Sequence, residues 1–241
     1  DKKSAEIIKP FLAGRDLKRY QQPKSDRFVI FTRRGIDIKN YPAIEKHLSN
    51  FRTQLTPKPK NYKGDKWPGR KPGSYKWFEI QDSVDYFPEF EKPKILYQEI
   101  MTYQSFAYDT SSYFVNNKIF LIPMQDLYFL GILNAKTSWY FLRTITSSLQ
   151  GGALAMQSPQ VSQIPIYRID EKKPAEIKIR NRIVELVQKI LGLNAENNAG
   201  HDKTLAGREI AAADREIDKL VYQLYGLTEA EIKIVESVSG N

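Results

Sequence analysis

Positive and aromatic side chains are concentrated in one short stretch of the chain, residues 58–76, named the basic loop here. It holds seven Lys or Arg residues and a single acid, Asp65, with two tyrosines and a tryptophan between them. Six prolines and glycines in the same stretch rule out a long helix, so we predict an exposed loop. Lys and Arg neutralise phosphates, and aromatic rings stack on bases. The basic loop therefore predicts nucleic-acid binding.

A pair of arginines, Arg33 and Arg34, forms a second cationic feature at the end of a predicted strand. Arginine can donate two hydrogen bonds to one guanine in the major groove, so this pair and Arg70 are predicted to be able to read bases. Trp67 and Tyr62 are predicted wedges or stacking groups. The predicted DNA-binding residues are Arg33, Arg34, Lys58, Lys60, Tyr62, Lys63, Lys66, Trp67, Arg70, Lys71 and Lys76.

The positive charge belongs to one end of the chain. Residues 1–78 contain 20 Lys and Arg against 7 Asp and Glu, whereas residues 79–241 contain 17 against 21. A basic surface also serves solubility or binds acidic membranes. Because the basic end lacks an amphipathic basic helix, nucleic acid is the favoured partner over a membrane surface.

Composition excludes several other classes of protein. There is no cysteine and there are only two histidines, which argues against disulfides and zinc sites. No apolar run approaches the roughly 18 residues that span a bilayer, and no signal peptide opens the chain, so we expect a cytoplasmic protein without a membrane partner. The chain begins with Asp1 rather than Met, which suggests a piece of a longer protein.

Motifs for bond-making chemistry are missing. Gly64 and Gly69 have the spacing of a phosphate-binding loop, but Arg70 replaces its lysine and Pro72 prevents the helix that must follow. The adenine methyltransferase motif Asn-Pro-Pro-Tyr is absent, and three Glu-x-Lys spacings in the helical tail are of a kind common by chance. We therefore predict no catalytic, cofactor-binding or metal-binding residue in this chain. A small metal-dependent nuclease is the less favoured alternative.

The pattern of apolar residues predicts an α+β fold, with a mixed, mostly antiparallel sheet, packed helices and a C-terminal helical hairpin. Short β-rich runs without a βαβ rhythm lead to this prediction. The predicted strands are residues 27–32, 76–80, 93–100, 105–108 and 119–123.

Helix signals dominate the rest of the chain. Asp126 is a predicted N-cap for one helix over residues 127–142. Pro174 begins the first helix of the hairpin, which is predicted to end at Gly192, and the second helix is predicted to end at Gly226. Thr228 is predicted to form a capping box with a glutamate three residues later. These signals predict two regions, an α+β domain over residues 1–170 and a helical spacer or docking region over residues 171–241.

Five segments, in order along the chain, resemble one known family. They are IKPFLAGRDLKRY (8–20), FEKPKILYQEI (90–100), YFLGILNAK (128–136), QIPI (163–166) and IDKLVYQLYGLT (217–228). The chain is similar to the TaqI-like C-terminal specificity domain, the target recognition domain of Type IIG restriction–modification enzymes and related adenine-specific DNA methyltransferases. Most of the matching residues are apolar, Pro or Gly, so the resemblance predicts the fold and does not identify base-reading residues.

The resemblance implies duplex DNA as the ligand and a methyltransferase domain upstream in the same polypeptide. That parent would use S-adenosylmethionine to methylate an adenine flipped out of the duplex, and would need Mg²⁺ if a nuclease domain is also fused. This chain would supply recognition alone, and its helical tail would resemble the spacer helices of the family. An alternative is a protein-interaction module of a phage-defence complex that uses the helical hairpin.

Overall fold

Short strands precede residue 156 and the longest helices follow residue 173. The structure is a computed structural model that describes residues 2–198 and 203–239. The strands are β1 (Ile8–Leu12), β2 (Phe28–Ile30), β3 (Lys94–Gln98), β4 (Ile100–Met101), β5 (Ala107–Asp109), β6 (Phe114–Val115), β7 (Ile119–Ile122) and β8 (Leu154–Ala155). The α-helices are α1 (Pro42–Ser49), α2 (Arg52–Leu55), α3 (Leu127–Asn134), α4 (Lys136–Ile145), α5 (Ser158–Val161), α6 (Pro174–Asn198), α7 (Lys203–Tyr225) and α8 (Glu229–Ser239). The α+β class and the helical C-terminal region are confirmed.

The strands form three small sheets with the orders β2-β1-β6, β5-β3-β7 and β4-β8. Four of the five pairings are antiparallel, and β1 with β6 is parallel. The prediction of a mixed, mostly antiparallel arrangement is therefore confirmed. The predicted strand at residues 76–80 is wrong, because Glu79 N donates to Lys76 O at 3.0 Å and closes a turn there.

The strongly apolar segment after Asp126 forms two helices instead of the predicted one. Its cap is confirmed, since the Asp126 carboxylate accepts hydrogen bonds from the backbone N–H groups of the first turn of α3. The break comes at Ala135, whose ψ of 152° is extended. Just before it, the buried Asn134 amide exchanges hydrogen bonds with both backbone groups of Phe106, at 3.2 and 3.0 Å. These contacts tie the end of α3 to the loop before β5.

The C-terminal hairpin of α6 and α7 is present, but Gly192 does not end α6. The helix continues through Asn194, whose buried side chain donates to Tyr20 O at 2.9 Å. This hydrogen bond stabilises the additional turn of helix. The predicted end at Gly192 is thus wrong, because residues 193–198 also belong to α6. Gly226, with φ of +65°, follows the end of α7, and Thr228 and Glu231 form the predicted capping box of α8.

One hydrophobic core contains residues from both predicted regions. Side chains of β3, α3 and α4 share it with Ile183 and Val187 of α6 and Ile217 of α7. Helices α3 and α6 approach closely at Gly131 of α3, where a Cβ atom would lie 2.6 Å from the Ile183 side chain. A boundary near residue 170 stays a prediction, and the core shows that the helices pack directly on the part of the chain before it.

A buried ion pair lies between β3 and β5. Lys94 and Asp109 are both fully buried, and their charged groups are 2.6 Å apart. The Lys94 ammonium also donates to Phe90 O at 2.6 Å, while the carboxylate accepts from Ser111 N and Tyr113 N. Burial lowers the pKa of Lys94, and its bond to Asp109 acts in the opposite direction. Each charge is thus satisfied by several partners, as an ion pair away from water requires.

A second buried carboxylate, Asp218 of α7, is less well satisfied. One oxygen accepts from Lys136 N at 2.9 Å, and the other lies 3.9 Å from Lys136 Nζ. Burial raises the pKa of Asp218 to about 6, with a smaller contribution from the neighbouring Asp214, while Arg19 opposes the shift. Asp214 itself is paired with Arg19, which joins α7 to the segment after β1.

This carboxylate predicts a dependence of stability on pH. A raised pKa means that protonation of Asp218 stabilises the folded protein below about pH 4, and that this term is lost as the pH rises through about 6. In D218N the term is absent. Between pH 4 and pH 7, the free energy of unfolding of the unaltered protein is therefore expected to fall by about 2–3 kcal/mol relative to that of D218N.

Urea denaturation across that pH range measures the shift, with D65N as a control because Asp65 is exposed. Parallel pH profiles for D218N and the unaltered protein would contradict the prediction.

Candidate nucleic-acid interface

The basic loop is closed at its base by backbone hydrogen bonds. Lys58 N donates to Arg70 O and Arg70 N donates to Thr56 O, both at 3.0 Å. The chain between them thus leaves and returns at one point. Gly69 sits at this closure, where a Cβ atom would lie 2.2 Å from Thr56 O, so no larger residue fits without displacing backbone. The loop is irregular in secondary structure but is fixed at its base.

The Arg70 guanidinium fastens the same loop from inside. Its Nε donates to Leu55 O and its Nη1 to Glu79 O, both at 2.6 Å. Its Nη2 donates to Lys76 O at 3.1 Å and to Trp77 O at 2.9 Å. Burial lowers the pKa of Arg70, yet an arginine keeps its charge in proteins. Four of its five N–H donors are engaged by main-chain carbonyls, which favours a role in holding the loop over the predicted reading of guanine.

Removing this guanidinium is expected to loosen the loop. R70A would remove the guanidinium donors from four carbonyls, of which Lys76 O keeps a second donor in Glu79 N. R70K would restore little, because an ammonium lacks the planar fork that reaches four acceptors. We expect tryptic cleavage within residues 58–76 to become at least about tenfold faster in both variants. A decrease of about 1.4 kcal/mol in the free energy of opening the loop raises the population of the open loop tenfold.

The matched control is K60A, which removes an exposed cation of the same loop. A loop that stays as protease-resistant in R70A as in K60A would contradict the structural role of Arg70.

The two aromatic side chains predicted as wedges are tied to the loop backbone. Trp67 Nε1 donates to Thr56 O at 3.0 Å, and the Tyr62 hydroxyl donates to Lys66 O at 2.9 Å. Their rings meet edge to face with centroids 5.0 Å apart, and both are half-buried. They form a pre-positioned aromatic pair beside the cations of the loop.

The lysines of the loop fall into two groups. Lys58 lies over the Tyr62 ring at 5.4 Å, and Lys76 pairs with Glu79 at 3.8 Å. The others are exposed, and within the described part of the chain no carboxylate or carbonyl accepts from their ammonium groups. They are Lys60, Lys63, Lys66 and Lys71. Unpaired surface ammonium groups of this kind are the groups that displace counterions from a phosphate backbone.

The turn that carries Arg33 and Arg34, residues 32–35 and named the arginine turn here, is joined to the basic loop by a buried carboxylate. Glu79 is only 4% exposed, and its two oxygens accept from Gly35 N at 3.0 Å and Lys76 N at 2.8 Å. Thr32 adds a backbone bond, because Ile80 N donates to its carbonyl at 2.8 Å. The structure therefore brings together two cationic features that are separated by more than 20 residues in sequence.

Three contributors to this surface are not among the residues predicted to bind DNA. Glu79 was assigned to a strand, and Tyr75 is buried with the guanidinium groups of Arg34 and Arg70 against its ring, at 5.8 and 4.4 Å. Arg52 of α2 lies 4.6 Å from the centre of the Trp77 ring. The sequence feature that could have pointed to Tyr75 and Arg52 is the alternation of cationic and aromatic residues, which continues on both sides of the basic loop.

Metal-binding clusters and membrane-spanning helices are both absent from the part of the chain that the structure describes. Within residues 2–198 and 203–239, no three His, Asp or Glu side chains are grouped as a metal site would need. In the same residues, no helix has both the length and the apolar character required to cross a bilayer.

Comparison with protein-family models identifies the TaqI-like C-terminal specificity domain over residues 9–166. The chain belongs to this family. The matched part of the TaqI-like domain includes the arginine turn, the basic loop and α3, whereas α6 to α8 follow it. Membership supports a role in DNA target recognition within restriction–modification enzymes. The comparison with curated proteins found no significant match.

Proposed function

We propose that this protein is the recognition module of a restriction–modification enzyme and presents a target adenine to a methyltransferase domain of the same polypeptide. The surface of the basic loop carries this proposal. Four exposed lysines, to which the described residues offer no acidic partner, lie on a loop whose base and aromatic pair are fixed by hydrogen bonds. Because the backbone that carries these lysines is held at its base, duplex DNA can be bound without the cost of ordering the loop itself.

Recognition by this surface divides into two kinds of contact. Lys60, Lys63, Lys66 and Lys71 contact phosphates and set the register of the protein on the duplex. The neighbouring arginine turn faces the edges of bases, where sequence is read. Unstacking an adenine costs a few kcal/mol, and contacts on both sides of the target would offset that cost.

Methyl transfer itself is assigned to the other domain. S-adenosylmethionine would be bound there and supplies the methyl group, and Mg²⁺ would serve a nuclease domain if one is fused. This chain contributes binding and orientation, with α6 to α8 as the spacer that contacts the methyltransferase domain. The predicted cytoplasmic location is part of the same proposal.

Equilibrium binding to labelled DNA at several salt concentrations tests the proposal. We expect the purified protein to prefer duplex DNA over single-stranded DNA and over duplex RNA. With the four lysines of the basic loop on phosphates, log K should fall with log salt with a slope at least as steep as about −3.6. Equal binding to all three nucleic acids, or a slope near zero, would contradict it. Tight binding of a protein partner without DNA binding would favour the interaction module instead.

A further inference from the structure

The arginines of the DNA-facing surface differ in how many of their donors are engaged. Reading guanine with two hydrogen bonds requires one edge of the guanidinium to be open. Arg70 donates four hydrogen bonds to main-chain carbonyls at the two ends of the basic loop and beside them. Arg34 donates from Nη2 to Gln81 O and lies against the Tyr75 ring. Both guanidinium groups therefore hold the surface together.

Arg33 has a different environment. Its side chain is exposed, and within residues 2–198 and 203–239 no carbonyl or carboxylate accepts from its guanidinium. The group lies 5.6 Å from the centre of the Phe87 ring, and that ring packs on buried Phe31 with centroids 5.7 Å apart. Because the partner of the Arg33 guanidinium among the described residues is a ring and not a carbonyl, its N–H donors stay available while the contact with Phe87 restricts its position.

The backbone under Arg33 is also fixed. Ile36 N donates to Arg33 O at 3.2 Å, and Gly35 completes the turn with φ of +78°, a conformation that favours glycine. The Glu79 carboxylate then holds Gly35 N against the basic loop. An open guanidinium on a rigid turn meets the requirement for specific recognition, which is a side chain set in place before the ligand arrives.

We infer that Arg33 is the specificity-determining arginine of this surface and reads a guanine in the major groove; this rests on the proposed function. Arg52 is the other arginine of this surface, in the part of the chain that the structure describes, whose guanidinium has no acceptor. It projects from the four-residue helix α2 and lies closer to its ring, at 4.6 Å from Trp77. Arg52 is assigned to a phosphate, because it lies outside the turn that Glu79 holds through Gly35 N.

Selection from a randomised duplex library followed by sequencing tests this assignment, with the purified protein and its R33A, R33K and R52A variants. R33A and R33K should lose the preference for guanine at one position by roughly 5- to 150-fold, the range for one bidentate contact. R33K keeps the charge, so its salt slope should be unchanged. R52A should weaken binding to all sequences alike and leave the selected sequence intact.

Two outcomes separate this inference from the proposed function. If R33A and R33K select the same sequence as the unaltered protein, the assignment of Arg33 is wrong while DNA recognition stands. Loss of preference in R52A instead would transfer the role to that residue and overturn the inference. If the unaltered protein binds no duplex, both the proposed function and this inference fail. Thermal melting of each variant shows whether the fold is retained, which is expected because Arg33 is exposed.

Discussion

Reversing the charge of three basic-loop lysines in K63E/K66E/K71E is expected to weaken duplex binding on the order of 10³-fold at 50 mM salt. Each lost phosphate contact reduces the steepness of log K against log salt by about 0.9 unit. The affinity lost at 50 mM is this change in slope multiplied by the about 1.3 decades of salt concentration between 50 mM and 1 M. The slope should therefore flatten by nearly three units. All three side chains are exposed and have no carboxylate or carbonyl acceptor in the described residues, so their loss removes no internal contact.

The matched control is K178E/K219E/K233E, which changes the net charge equally on exposed positions of the helical region. It should alter affinity by less than about tenfold, because these charges lie away from the contact surface and are screened by salt. Fluorescence anisotropy over a salt series measures both variants. Equal effects of the two triple variants would show that overall charge, and not the basic loop, governs binding.

Removing Asp109 is expected to be the most destabilising single change considered for this protein. D109A leaves the Lys94 ammonium fully buried with backbone carbonyls as its remaining partners, and it deprives Ser111 N and Tyr113 N of their acceptor. Breaking one side of a buried pair typically costs about 3–5 kcal/mol. The extra unsatisfied donors place D109A toward the upper part of that range.

Chemical denaturation of D109A and of E89A tests this expectation. Glu89 pairs with Lys92 near the same strand, but both side chains are partly exposed, and such surface pairs contribute about 0–1 kcal/mol. A loss below about 1 kcal/mol in D109A would mean that water reaches Lys94 or that the strands shift to expose it. In either case the ion pair would not be the central contact between β3 and β5.

Local signals in the sequence predicted local structure well. Asp126 and Thr228 act within one helical turn of their own positions, so their caps are legible from a few residues. The errors arose where a distant contact decided the outcome. Asn194 extends α6 because it reaches Tyr20, and Asn134 ends α3 because it pairs with Phe106. Neither partner can be inferred from the neighbourhood of the residue.

The same distinction applies to the candidate interface. Composition identified the cations of the basic loop, but it gave Arg33 and Arg70 the same predicted role. The two arginines differ because the fold brings main-chain carbonyls to Arg70. The acceptor closest to Arg70 in sequence is Lys76, six positions away. The joining carboxylate of Glu79 was also out of reach, because its partner Gly35 is 44 positions earlier in the chain.

The packing of α6 against α3 has a practical consequence for exchanging specificity between enzymes of this kind. A chimera cut near residue 170 would separate Ile183 and Val187 from the shared core and place a foreign helix against Gly131, where there is no room even for a methyl group. The unit to transplant is therefore the recognition region together with α6 and α7. Recombination points that preserve this helix pairing would carry a new target sequence into another enzyme with the fold intact.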